Sequence, residues 1–100
     1  MIIRSQDKKR IINFNQVSDL VISKNRVDEY EILVCYPYFA ESDCGYSAIA
    51  TYSTEEKAIK VLDMIQEAYS RMEDIKCGVV QAQRHDSFCF DMPSDEEVEV

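Results

Sequence analysis

The sequence predicts an α+β protein, an antiparallel sheet of about five strands with one long amphipathic helix packed on one face. Three observations carry this. Residues 1–52 hold short β-branched and aromatic runs separated by polar turns. Residues 54–74 hold apolar side chains at helical spacing behind capping residues. The chain has 100 residues, 46% hydrophobic and 30% charged, enough for one domain with its own core and unlike a disordered segment.

Met1-Ile2-Ile3-Arg4 reads as a first strand and Gln6-Asp7-Lys8-Lys9 as a polar turn. Residues 10–14 read as a second strand. Residues 17–23, with Val17, Leu20, Val21 and Ile22, read as a third. Lys24-Asn25-Arg26-Val27-Asp28 is a loop. Residues 29–38 give the clearest strand, with Tyr30, Ile32, Val34 and Tyr36 on one face and Glu31, Leu33, Cys35 and Pro37 on the other. Glu31 is the one charge in its middle, so both faces are expected to be partly covered, as in an inner strand. Glu41-Ser42-Asp43-Cys44-Gly45 supplies turn residues, and residues 46–52 return as the partner strand, with Tyr46, Ala48, Ala50 and Tyr52 on one face.

Ser53-Thr54-Glu55-Glu56 fits a capping box in which Ser53 and Glu56 satisfy each other's N–H groups. Behind it Ala58, Val61, Leu62, Ile65, Ala68, Tyr69 and Met72 recur on one stripe, which predicts a helix over 54–74. Residues 76–83 read as a short strand or extended segment, and residues 87–92, with Phe88, Cys89 and Phe90, as an edge strand docking back on the sheet. The domain is thus expected to span 1–92, with 93–100 an acidic, flexible tail.

Net charge is −8, unevenly placed. Residues 1–26 carry six bases against two acids, and residues 27–100 carry five bases against seventeen acids. Residues 85–100 alone hold six acids and no Lys or Arg. Such a chain repels nucleic acid and anionic membrane and is drawn to basic surfaces, including those of nucleic-acid-binding proteins. No run approaches the ~18 apolar residues of a membrane span. The N-terminus turns polar after Ile3 without a leader pattern, so a cytoplasmic location is expected. Cys35, Cys44, Cys77 and Cys89 are spaced 9, 33 and 12 apart, which suits unpaired thiols better than a zinc site or disulfides.

The inventory for catalysis is thin. His85 is the only histidine, so any Ser-His-Asp or Cys-His system must use it, and Arg84-His85-Asp86-Ser87 reads as a solvated loop. Asp28-Glu29, Glu55-Glu56 and Asp95-Glu96-Glu97 are sequence-adjacent carboxylates, not opposed across a cleft. Calcium-loop, phosphate-loop, dinucleotide and nucleophile-elbow patterns do not occur. No catalytic residue, metal or cofactor is expected, and the protein is expected not to be an enzyme. Six tyrosines are many for this length. Tyr30, Tyr36, Tyr38, Tyr46 and Tyr52 crowd the central hairpin, either as cross-strand packing or as a binding face. The candidate partner-binding set is Tyr36, Tyr38, Phe39, Glu41, Asp43, Asp95, Glu96 and Glu97. Arg4, Lys8, Lys9 and Arg10 gather around one turn as a candidate phosphate grip, or as a solvated turn that complements the acidic end of a second protomer.

Three stretches carry a resemblance. Met1-Ile2-Ile3-Arg4-Ser5-Gln6-Asp7-Lys8, the run Tyr52-Ser53-Thr54-Glu55-Glu56-Lys57-Ala58-Ile59-Lys60-Val61-Leu62-Asp63-Met64-Ile65, and the closing Met92-Pro93-Ser94-Asp95-Glu96-Glu97-Val98-Glu99-Val100 are similar to segments of small phage and prophage proteins of low-GC Gram-positive bacteria. They cover about a third of the chain, and residues 16–46 have no counterpart. The resemblance implies an anti-defence role in the host cytoplasm, such as inhibition of a type II CRISPR nuclease, and carries over no functional residue. An acidic binder can occupy the basic channel meant for guide RNA or target DNA. The expected function is therefore a non-catalytic inhibitor of a basic host protein, with no direct nucleic acid or membrane contact and a possible homodimer. The alternatives are a homo-oligomeric sponge for a cyclic-nucleotide signal and a structural or regulatory phage protein.

Overall fold

A computed structural model of the chain describes residues 1–36, 46–78 and 89–99. Its architecture is α+β, with one helix and two three-stranded sheets in place of the single five-stranded sheet expected. Strand β1 (Ile2–Arg4) pairs antiparallel with β2 (Ile11–Asn13) and parallel with β6 (Cys89–Asp91), in the order β2-β1-β6. Strands β3 (Asp19–Lys24), β4 (Tyr30–Cys35) and β5 (Tyr46–Tyr52) form an antiparallel meander. The chain breaks between sheets at a single 3-10 turn, Phe14–Gln16, capped by the Asn13 side chain. This turn takes the last residue expected in the second strand, Phe14, because Asn13 accepts the Asn15 N–H in competition with a strand ladder.

The core lies between the sheets and helix α1 (Glu55–Lys76). Ile3 and Ile12 come from the first sheet, Ile32, Val34, Ile49, Ala50 and Tyr52 from the second, and Ala58, Val61, Ile65 and Met72 from α1. On β4 the alternation follows the sequence: Ile32 and Val34 are buried, while Glu31, Leu33 and Cys35 are half-covered on the opposite face. On β5 it does not. A bulge between Ile32 and Leu33 leaves Ile49 as the extra residue, so Ile49 and Ala50 are both buried. Tyr46 and Ala48 therefore stay exposed while Ala50 and Tyr52 turn inward, and the expected common face of these four is split.

The N-cap of α1 is Thr54, whose side chain accepts the Lys57 N–H at 3.2 Å. Ser53 is not the cap, because its N–H and hydroxyl are drawn to Asp95 instead. The Ser-x-x-Glu pairing is used at residues 94–97, where the Glu97 carboxylate accepts from the Ser94 N–H and hydroxyl. The helix runs on to Lys76, so the expected strand over 76–83 loses its first residues to α1 and Cys77-Gly78, and 79–83 fall outside the described residues. The edge strand expected over 87–92 is present as β6. Among the described residues no helix is long and apolar enough to cross a membrane.

Candidate functional site: a fixed acidic face

Residues 93–99, expected to trail from the domain as a loose tail, are tied into it. Met92 N–H donates to Arg4 O at 3.0 Å, which extends the parallel pairing of β6 with β1 by one step. Beyond it the Pro93 carbonyl accepts from the buried Tyr52 hydroxyl at 2.7 Å and from Gln6 Nε2 at 3.2 Å. Asp95–Glu97 form a 3-10 turn, and Val98 folds under it into the core at 5% exposure. Composition hid this: four acids, Asp95, Glu96, Glu97 and Glu99, mask two apolar anchors, Met92 and Val98, that bracket the turn.

Asp95 joins the turn to the start of α1. Its carboxylate accepts from the Ser53 N–H at 2.8 Å and the Ser53 hydroxyl at 3.0 Å, and it lies 3.5 Å from the Lys57 ammonium. The same ammonium donates to the Asp95 carbonyl at 2.8 Å. The Ser53 N–H, followed by its hydroxyl and the Lys57 charge, holds the Asp95 carboxyl below its ordinary range. Ser94, through its hydroxyl and then its N–H, does the same for Glu97, with a smaller pull from Lys8. Burial, with help from the charges of Asp95 and Glu97, pushes the Tyr52 phenol well above its ordinary value, so Tyr52 stays a donor to Pro93.

These contacts place Asp95 at the start of α1, whose first turn carries Glu55 and Glu56, and Glu96, Glu97 and Glu99 follow Asp95 in the chain. Asp95 and Glu97 are used in holding the turn, whereas Glu55, Glu56, Glu96 and Glu99 are exposed. Two carboxylates of this segment thus tie it to the start of α1 and close its own turn.

The other candidates divide. Arg4 donates from Nε and one terminal nitrogen to Lys8 O, at 3.2 and 2.9 Å, and pins Lys8 in a left-handed conformation at φ 67°. Arg10 donates to the Ser47 hydroxyl, to Ala48 O and to the Tyr36 hydroxyl, linking the β1–β2 turn to the outer edge of β5. Lys8 and Lys9 are exposed. Asp7, which accepts from the Ser5 hydroxyl and the Lys9 N–H, has its carboxyl lowered by both. Tyr36 is half-buried beside Arg10, Tyr52 is fully buried, and Tyr46 is 53% exposed. The Cys35 thiol, then Asp19, raises the Tyr46 phenol across the outer face of the meander. Tyr38, Phe39, Glu41, Asp43 and His85 lie outside the described residues. Among the described residues no group of three His, Cys, Asp or Glu side chains could hold a metal ion.

Ser53, Lys57 and Gln6 are the site residues that sequence reasoning missed. A Ser-x-x-Glu repeat at 53–56 and 94–97 was the available signal, and the reciprocal pairing forms only at 94–97. Set against protein-family models, curated proteins and solved structures, the chain matches none of them.

Proposed function

We propose that the protein is a non-catalytic binding module whose acidic face, formed by residues 95–99 and the first turn of α1, docks on a basic surface of a nucleic-acid-binding protein. The observation that carries this reading is the clamp of Asp95 onto Ser53 and Lys57. Carboxylates on a flexible tail lose much of their attraction to the entropy of ordering, whereas carboxylates preset on a folded surface do not. The net charge of −8 adds long-range steering toward a basic partner. The resemblance to phage proteins points to bacterial defence proteins, type II CRISPR nucleases among them, as the partner class to test first.

The test is capture from host lysate at low and high salt, followed by mass spectrometry, with the unaltered chain and with a Glu55→Gln/Glu56→Gln/Glu96→Gln/Glu99→Gln variant. A basic nucleic-acid-binding protein recovered at low salt, released at high salt and lost with the variant is the expected result. Undiminished capture by the variant, or capture abolished instead by Lys8→Gln/Lys9→Gln, would overturn the reading.

A further inference from the structure

Strand β3 is an edge without the usual protection. Among the described residues it pairs with β4 alone. Its interior, Leu20-Val21-Ile22-Ser23, holds no proline, charge or bulge, the devices by which folded proteins block edge-to-edge pairing. The closing contact of the β3–β4 hairpin, Asn25 N–H to Glu29 O at 2.8 Å, sets the phase of the ladder. Ser23, Val21 and Asp19 direct their backbone groups to β4, so Leu20, Ile22 and Lys24 direct theirs away from it.

Alongside this edge runs a groove of about 500 Å³ between the 14–20 segment and α1. Phe14, Val17, Leu20, Leu62 and Tyr69 line it, and the Phe14 and Tyr69 rings meet edge to face at 5.5 Å. Ile59, 45% exposed, precedes Leu62 on the same flank of the helix at a spacing of three residues. A strand added beside β3 would therefore lie against an apolar flank of α1.

We propose that this edge is the seam of a homodimer, in which β3 pairs antiparallel with its own copy about a two-fold axis. Such an axis requires a residue to face itself or one of the same parity; the proposed register centres on Val21, within the uncharged run, and the phase of the ladder makes Val21 opposite the partner's Val21 a non-hydrogen-bonded pair. Leu20 and Ile22 then exchange backbone hydrogen bonds with the partner's Ile22 and the partner's Leu20, and the same residues pair side chains on the helix-covered face. The antiparallel arrangement sets the acidic start of each β3 beside the basic end of the other, with Asp19 opposite the partner's Ser23 and Ser18 opposite the partner's Lys24. Lys24 is available for this, because its pair with Asp28 is a solvent-exposed one, at 3.4 Å with side chains 55% and 85% accessible. The seam also lies within residues 1–26, the part of the chain with a positive balance. This inference is independent of the proposed partner.

The test combines light scattering after size exclusion with amide exchange on the unaltered chain, across a concentration series from micromolar to near-millimolar. The expected result is twice the chain mass at the upper end, with exchange at Leu20 and Ile22 slowing as concentration rises and exchange at Val21 unchanged. Val21→Lys and Val21→Glu, on the sheet face away from the core, should each give a monomer with unaltered circular dichroism. Mixed in equal parts they should associate again, because residue 21 faces only its own counterpart. Monomeric mass at every concentration, concentration-independent exchange at Leu20 and Ile22, or a dimer indifferent to Val21→Lys would overturn the proposal.

Discussion

The Gln6 amide makes three hydrogen bonds where the two sheets meet. Its Nε2 donates to Thr51 O at 3.0 Å and Pro93 O at 3.2 Å, and its Oε1 accepts the Thr51 N–H at 2.9 Å. Gln6→Glu turns the donating end into an acceptor and sets a carboxylate against two carbonyls. A loss of about 2–3 kcal/mol is expected, read as a lower urea midpoint at an unchanged slope. Tyr52→Phe should lose less, about 1 kcal/mol, because Gln6 still satisfies Pro93 O. Protonation offers a second test at this scale. The carboxyls of Asp95 and Glu97 are lowered on folding from ordinary values of 3.8 and 4.5. The unfolded chain therefore binds protons first as pH falls. The stabilisation from these groups is complete above that range and is lost as pH drops through their folded values. Urea midpoints should accordingly fall below about pH 4, and Asp95→Asn should flatten the part of that fall due to Asp95.

At the scale of elements, the C-terminal segment acts as a strap across β1, β5 and the start of α1. Val98→Ala removes two buried carbons and should cost about 2 kcal/mol in chemical denaturation, whereas a trailing tail would register nothing. Helix α1 and the β3–β4–β5 meander were legible in the sequence because each rests on a local pattern, helical spacing around Val61 and Ile65 and alternation around Ile32 and Val34. The division into two sheets was not, since it depends on Asn13 stopping β2 and on β6 crossing the whole chain to lie parallel to β1. The split face of β5 was hidden for a similar reason, as a bulge at Ile49 leaves no mark in an alternating sequence. The contacts of the strap were hidden because acidic composition signals solvation, while its anchoring rests on two buried apolar residues, Met92 and Val98, and on a serine more than forty residues from Asp95, Ser53.

For the whole molecule, the distribution of charge sets what can be approached. Bases gather in residues 1–26, where Arg4 and Arg10 are used to hold the β1–β2 turn and the edge of β5. Acids dominate residues 27–100, and a subset is positioned by the strap. Association with a basic partner should therefore weaken steeply with salt through its on-rate, and the four glutamines at 55, 56, 96 and 99 should reduce that salt slope in surface plasmon resonance. All of this depends on residues 93–98 sharing the rigidity of the body. Backbone amide order parameters from nitrogen-15 relaxation measure that rigidity directly. Values of about 0.85 along 94–98, equal to those of α1, are the expected result, and values below about 0.6 would contradict it.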